Sequence, residues 1–369
     1  MPHKVMRTPR TLDLEITSRC NAKCSYCYYL NNPGVNYSDL STEKWLAFFA
    51  ELARCHVLSV VLAGGEPLLR EDFLSLVDGI VENRMRFSLL TNGSLLTPEI
   101  ASHLKDTGRC DQAQVSLDGS TAKIHETLRG QGTFEPALSA IRLFQKTGLD
   151  VTVRVTVHPG NVEDLEAITR LLLDDLQLAS FSTNSASSLG SSAKYGSETL
   201  LKPMERLKAM RELARLSSLY PGRIEASAGP LADWHMFHAM EEARQSGQLI
   251  AGRGHLVGCG CIFTRLAVRA DGAYVPCVML PQMVLGRVGE DCLEDVWQSS
   301  AELQELRSRW SISLSSFSEC QDCAWQQSCT GNCAGTSLAL TGEANRPCPE
   351  ACLRRFNDEI SAMGETLWP

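Results

Sequence analysis

Fifteen cysteines are spread very unevenly along these 369 residues, and their placement constrains the fold more than any other feature. Cys20, Cys24 and Cys27 stand in the spacing C-x3-C-x2-C within one short segment. Ten more lie between Cys259 and Cys352, and only Cys55 and Cys110 fall between the two groups. No signal peptide precedes them, because the N-terminus runs straight into an alternating Leu-Asp-Leu-Glu-Ile stretch. The chain is therefore expected in the cytoplasm, where thiols stay reduced and clustered cysteines bind metal or do chemistry. The asymmetry predicts two functional modules. In the first, three thiolates leave a coordination position open. A 4Fe–4S cluster takes one ligand per iron, and four cysteines close it. Three leave one iron free to bind something else. A zinc knuckle is the alternative, but zinc sites complete four ligands with paired C-x2-C or histidine arrangements, and neither follows closely here.

The bulk numbers exclude some classes. Hydrophobic residues make up 44% and charged residues 21%, ordinary for a globular protein. No apolar run is long enough to span a bilayer, so no membrane partner is expected. A formal charge of −8 argues against general nucleic-acid affinity. The length suffices for one large α/β domain and a smaller one.

The first two thirds of the chain alternate short apolar runs with amphipathic stretches. Strands are predicted at 12–16, 58–62, 87–90, 114–117 and 151–156. Helices are predicted at 42–53, 73–82, 98–107, 134–147 and 162–173. This order reads as repeated βαβ units, about six of them, around a parallel sheet. In such folds the C-terminal ends of the strands carry the site. The polar stretch 182–197 reads as a surface loop, with a rim segment over the barrel mouth as the alternative. Helices follow at 204–219 and 231–246.

Three motifs fall directly after predicted strands. Gly64, Gly65, Glu66 and Pro67 combine two glycines, which allow close backbone approach, with a carboxylate. Thr91-Asn92-Gly93 follows the third strand. Ser116-Leu117-Asp118-Gly119 runs off the end of the fourth, with His125 and Arg129 beyond. With the cysteine triplet and Tyr26 before its last cysteine, these blocks closely resemble the radical SAM family. The resemblance implies a partial (β/α)6 barrel. It also implies that the open iron binds the amino and carboxylate groups of S-adenosylmethionine, whose reductive cleavage yields a 5′-deoxyadenosyl radical. By the same resemblance Gly64, Gly65, Glu66, Pro67, Thr91, Asn92, Ser116, Asp118 and Arg129 would contact that cofactor. Arginine suits paired hydrogen bonds to a carboxylate. Plainer readings stand beside these: Asn92-Gly93 is a turn signal, Asp118 suits a helix cap, and Arg129 suits an exposed face. His125 reads as structural.

The second cysteine group resembles the SPASM domain. Cys259 and Cys261 precede Gly272-x4-Cys277, then come Cys320-x2-Cys323-x5-Cys329-x3-Cys333, Cys348 and Cys352. The resemblance implies two auxiliary 4Fe–4S clusters, three in all. Cys259, Cys261, Cys277 and Cys333 would hold the first. Cys320, Cys323, Cys329 and one of Cys348 or Cys352 would hold the second, with Cys352 preferred because Pro349-Glu350-Ala351-Cys352 resembles the family's D-P-x-C ending. If only one of Cys259 and Cys261 binds, the first auxiliary cluster has an open iron. Cys55, Cys110 and Cys292 read as ordinary buried thiols. The implied organisation is a barrel over 1–225, a bridging helical region over 226–258, the SPASM domain over 259–352 and a C-terminal helix or tail over 353–369.

Residues 9–20, 27–33 and 60–67 resemble the maturases of SynChlorMet-type peptide cassettes. That resemblance implies a ribosomally made precursor peptide as substrate. It also implies hydrogen abstraction from a β-carbon, and closure of a cyclophane carbon–carbon or, second, a thioether crosslink. A flavodoxin- or ferredoxin-type electron donor is expected, and any leader-binding domain would be a separate protein. Sulfatase-type oxidation is not expected, because Val278, not an aspartate, follows Cys277. The rivals are a small-molecule oxidase or decarboxylase, for instance of a porphyrin, and a non-enzymatic electron carrier. A porphyrin would require a pocket rich in basic residues.

Overall fold

The computed structural model describes residues 5–29, 38–257 and 260–368, with only the backbone of Ser197 and Cys261. The predicted alternation holds. Strand β1 (Thr11–Thr17) leads through helix α1 (Thr42–Arg54) to β2 (Ser59–Gly64), then α2 (Phe73–Glu82) and β3 (Arg86–Thr91). Helix α3 (Pro98–Asp106), β4 (Cys110–Ser116), α4 (Ala122–Arg129), α5 (Phe134–Thr147) and β5 (Val151–Val157) follow. Then come α6 (Leu165–Arg170), β6 (Phe181–Ser185), α7 (Gly190–Tyr195), α8 (Pro203–Leu219), β7 (Ile224–Ala226) and α9 (Pro230–Ser246). Local chemistry explains the helices. In α1, Trp45, Phe48, Phe49 and Leu52 recur at helical spacing and are buried, while the Ser41 hydroxyl caps its start by accepting from the Lys44 N–H. Helix α5 stops at Gly148, which takes the left-handed conformation that glycine adopts without strain.

Strands β1 to β7 lie side by side in chain order, and every neighbouring pair is parallel. This is the partial (β/α)6 barrel, extended by β7. One set of alternating residues, including Leu12, Leu14, Ile16, Val153, Val155 and Phe181, joins the main core under the helices. The residues between them face the opposite, inner side. Asp13 and Glu15 stand there on β1, Gln114 and Ser116 on β4, and Arg154 and Thr156 on β5. Ser182 and Asn184 on β6 and Glu225 on β7 complete that face, aligned by strand register.

The polar stretch 182–197 is not a surface loop. Its beginning is β6 and its middle is α7, with Thr183, Ser191 and Ser192 buried. A strand whose inner face is polar lacks the apolar alternation by which strands are recognised, so its polarity read as a loop.

The second module is not a separate body. Helix α10 (Cys261–Thr264) leads into β8 (Arg265–Val268), which pairs parallel with β1 at the free edge of the barrel. Strands β9 (Ala273–Val275) and β10 (Gly286–Arg287) extend that edge antiparallel, so one sheet holds ten strands. Helices α11 (Leu293–Ser299), α12 (Ala301–Ser308), α13 (Ala334–Thr341) and α14 (Leu353–Ser361) complete the chain. Leu353, Phe356 and Ile360 of α14 form a second small core with Leu207, Met210, Phe237 and Met240 of α8 and α9. Among the described residues no helix is long and apolar enough to cross a membrane.

Candidate functional site

The triplet lies just beyond the C-terminal end of β1. Cys20, Cys24 and Cys27 are each half-buried, and no disulfide forms among the described cysteines. Burial pushes the Cys20 thiol up to about 11. Burial also raises Cys24, against the opposing pull of Arg129. Three surrounding segments hold this loop. The Gly65 and Glu66 N–H groups donate to the carbonyls of Thr17 and Arg19, both at 2.8 Å. A Cβ on Gly65 would stand 2.0 Å from the Arg19 oxygen, and one on Gly64 (φ +119°) would stand 2.4 Å from that of Thr17. The glycine pair thus serves a backbone-to-backbone contact between the loops after β1 and β2. From the other side, the Ser191 N–H donates to the Cys27 carbonyl at 2.8 Å, and a Cβ on Gly190 would meet the Cys27 and Tyr28 oxygens at 2.5 and 2.4 Å. The start of α7 is therefore the rim segment of the alternative reading, roofing the cluster loop.

The motifs after β2 and β3 are one unit. Glu66 is 1% exposed. Its carboxylate accepts from the Thr91 hydroxyl at 2.7 Å, the Asn92 N–H at 2.7 Å and the Leu68 N–H at 3.2 Å. Burial raises its carboxyl, and these bonds oppose the rise. The Asn92 side chain donates to Asn21, inside the cluster loop, at 2.9 Å. Asn21 was not singled out from the sequence; its place between two of the triplet's cysteines was the available signal. Ser116 stands half-buried at the end of β4, beside Arg154 in register.

Asp118 is the centre of a buried hydrogen-bond network. It is 0% exposed. Its carboxylate accepts from the Arg129 Nε at 2.5 Å, from the Thr156 N–H at 2.8 Å and from the Tyr26 hydroxyl. Burial works to raise this carboxyl, but Arg129, His158 and Tyr26 outweigh it and hold it below the usual carboxylate range. Arg129 is buried rather than exposed. It lies over the Tyr26 ring, with Nη1 4.0 Å from the Cys24 Sγ. Asp118 thus clamps the aromatic before the last cysteine and the cation beside the middle one. His125 is structural: its Nδ1 accepts from the Asp118 N–H at 3.0 Å, and burial drives its pKa down to about 4. His158, unremarked in the sequence, stacks on Tyr26 with centroids 5.8 Å apart. Its Nδ1 accepts from the Gly160 N–H, so Nε2 carries the proton, and that buried donor has no acceptor among the described residues.

In the second module the backbone draws the cysteine segments together. Gly335, two residues past Cys333, packs so tightly on Met279, two past Cys277, that a Cβ would stand 2.7 Å from the methionine Cβ. The Val257 N–H donates to the Thr330 carbonyl and the Cys348 N–H to that of Gly331, both at 2.8 Å. Cys320, Cys323, Cys329, Cys348 and Cys352 line one cavity. Burial raises Cys320 to about 12, helped by the nearby Cys329, Cys352 and Cys323. Cys348 instead feels Cys333 among the thiols. Cys259 lies outside the described residues, as does the side chain of Cys261. Cys55 is buried and Cys110 half-buried, but Cys292, the N-cap residue of α11, is exposed. Among the described residues no three His, Cys, Asp or Glu side chains converge on a single-ion site. A four-iron cluster spreads its thiolates over separate irons and needs no such convergence. Soft thiol donors in a set of three beside a buried arginine, and five lining one cavity where a cluster takes four, fit iron–sulfur clusters.

Comparison with known proteins agrees. Residues 14–172 match the Radical SAM superfamily, and residues 259–324 match the SPASM iron-sulfur cluster-binding domain. The mycofactocin maturase MftC of Mycobacterium tuberculosis is 29% identical, over 97% of this chain and 86% of its own length. The AdoMet-dependent heme synthase of Methanosarcina barkeri is 27% identical, over 91% and 94%. The PqqA peptide cyclase of Methylocella silvestris is 26% identical, over 98% and 92%. Among solved structures, Streptococcus suis SuiB bound to its precursor peptide SuiA superposes with a TM-score of 0.73 at 17% identity, covering 95% of this chain and 77% of that one. Native anSMEcpe with bound AdoMet gives 0.69 at 21%, covering 96% and 97%. At these identities the superpositions speak for the fold. With the triplet, the strand-end motifs and the described cysteines of the second set so placed, the chain belongs to the radical SAM superfamily as an enzyme with a SPASM iron–sulfur domain, built to use S-adenosylmethionine and iron–sulfur clusters.

Proposed function

We propose that this enzyme is a peptide maturase that closes a crosslink within a ribosomally made precursor peptide. The observation that carries the reading is the charge of the inner barrel face. It presents Arg154 against Asp13, Glu15 and Glu225, and Asp13 is already paired with Arg265 at 3.0 Å. A porphyrin bearing several propionates would want several cations there, whereas a largely neutral peptide segment would not. The relatives named as a mycofactocin maturase and a PqqA peptide cyclase, and the SuiB–SuiA complex, support the same class. The heme synthase relative is why the porphyrin alternative stays in the test.

In this reading Cys20, Cys24 and Cys27 hold the first cluster and leave one iron for S-adenosylmethionine. When bound, the pair supplies a 5′-deoxyadenosyl radical able to take a hydrogen atom from an unactivated carbon. The chain's own residues position and shield that chemistry. Gly64, Gly65, Glu66, Pro67, Thr91 and Asn92 form one wall, and Ser116 stands at the end of β4. Tyr26, Asp118 and Arg129 lock the loop, and α7 roofs it against water. Ring closure removes two hydrogens from the peptide, so an acceptor is needed for the second electron. Cys320, Cys323, Cys329 and Cys352 would hold one such group. Cys277 and Cys333, with Cys259 and Cys261, would hold another, making three clusters. No carboxylate follows Cys277, which argues against sulfatase-type oxidation. We favour a carbon–carbon cyclophane bond over a thioether. The electron donor would be a flavodoxin- or ferredoxin-type protein, and leader recognition would fall to a separate protein.

The test uses the reconstituted enzyme with S-adenosylmethionine, dithionite and any short peptide found encoded beside its gene, with coproporphyrin as the rival substrate. It should release 5′-deoxyadenosine and return a peptide lighter by two hydrogens. Replacing Cys20, Cys24 and Cys27 together with alanine should abolish both products. Turnover of coproporphyrin with no change in the peptide would refute the reading.

A further inference from the structure

The inner face carries a cation without an anion. Arg154 stands half-buried in β5, two residues before Thr156. Its Nε and Nη2 both reach one neutral acceptor, the Gln114 Oε1, at a long 3.3 Å. Among the described residues no carboxylate lies within ion-pair distance of it; Glu225 is the acid whose field reaches it. Register places Ser116 on one side of Arg154 and Ser182 on the other. The next inner-face residue of β6 is Asn184, beside Thr156. Its Oδ1 is buried and has no donor among the described residues. A desolvated guanidinium short of an anion and a buried amide oxygen short of a donor each carry an unmet cost. One ligand chemistry relieves both: a carboxylate with an amide N–H close by. Guanidinium takes a carboxylate through two parallel N–H bonds, and the asparagine oxygen takes the N–H.

We propose that Arg154 and Asn184 form a subsite that anchors a carboxylate of the peptide substrate, with its neighbouring amide, inside the barrel. The inference rests on the peptide reading above. Two sources share this chemistry: the C-terminus of the peptide, or an aspartate or glutamate side chain within it.

Binding by the reconstituted enzyme with S-adenosylmethionine, followed by NMR titration, separates them. The probes are N-acetylglycylphenylalanine, its C-terminal amide, and N-acetylaspartylphenylalanine amide. At least one carboxylate probe should bind about tenfold more tightly than the neutral amide, the gain expected from charge-assisted hydrogen bonds. Preference for the first identifies a chain end; preference for the third identifies an acidic side chain. In Arg154→Gln that preference should vanish, and Arg154→Lys should restore part of it, with iron content and circular dichroism matching the parent. Asn184→Ala should weaken all three probes alike. Equal binding of the three probes to the parent enzyme, or an unchanged preference in folded Arg154→Gln, would overturn the anchor and leave the peptide reading intact. Binding of none would overturn both.

Discussion

A buried carboxylate persists only where its charge is answered, and Asp118 is answered three times, by Arg129, Tyr26 and the Thr156 N–H. Removing one partner of a buried pair commonly costs about 3–5 kcal/mol, because the other charge stays behind unpaired. Asp118→Asn should therefore destabilise the fold by an amount of that order, read as a lower denaturation midpoint. It should also change the electron paramagnetic resonance signal of the triplet's cluster, since the clamped Arg129 lies beside Cys24. A variant with parental stability and signal would show that the clamp is dispensable. His125 gives a pH dependence with a definite sign. Its folded pKa, about 4, lies below the ordinary value of 6.5, so the unfolded chain binds the proton first. The contribution is complete above pH 6.5 and is lost as pH falls toward 4, by at most roughly 3 kcal/mol. Between these limits His125→Asn should lose less stability than the parent, which urea titrations across the window would measure.

At the scale of elements, the site is a set of loops pinned to one another. The loop after β2 supports the one after β1 through Gly64 and Gly65, and the start of α7 closes over it through Gly190. Such contacts leave no room for a methyl group. Gly65→Ala should push the cysteine loop away from Arg19, because a Cβ there would lie 2.0 Å from the Arg19 oxygen and neither backbone has freedom to withdraw. The expected result is a folded barrel with reduced iron in the triplet's cluster and much weaker 5′-deoxyadenosine formation. Gly108→Ala is the control for tolerance of the change, since a Cβ at Gly108 meets nothing within 4 Å, though its positive φ adds a cost of about 1 kcal/mol. Equal iron loss in both would mean that the close approach is not what matters.

Across the whole molecule, the two cysteine modules share a sheet through β1 and β8 and a small core through α8, α9 and α14. The second module is therefore tied to the barrel by backbone as well as by packing. Reconstituted enzyme should hold about twelve irons, four for each of three clusters. Stoichiometric zinc in place of iron would refute the auxiliary assignment. Cys323→Ala with Cys329→Ala should remove one cluster and leave the triplet's cluster intact, because its ligands follow β1 rather than the second module. If that cluster takes the second electron, this variant should still cleave S-adenosylmethionine but yield little crosslinked peptide. Loss of iron from every site would instead mean that the second module collapses, since metal binding supplies folding energy to such modules.

Spacing alone carried much of this protein. Ligand spacing and helical or strand periodicity are local properties, written in residues a few positions apart. The triplet, the strand-end motifs and the alternation behind the barrel were legible for that reason. Tertiary structure decided the rest. It made Asp118 the carboxylate that clamps Tyr26 and Arg129, and it placed Arg129 as the buried cation beside Cys24, since their partners lie on other strands and loops. It made a strand and a roof of the polar stretch 182–197, whose inner face has no apolar residues to announce it. It left Cys292 exposed, and it brought Arg154 and Asn184 to one face through the pairing of β5 with β6. Each of these depends on which segments meet across the sheet, and that is settled by the burial of the opposite faces, not by the residues themselves.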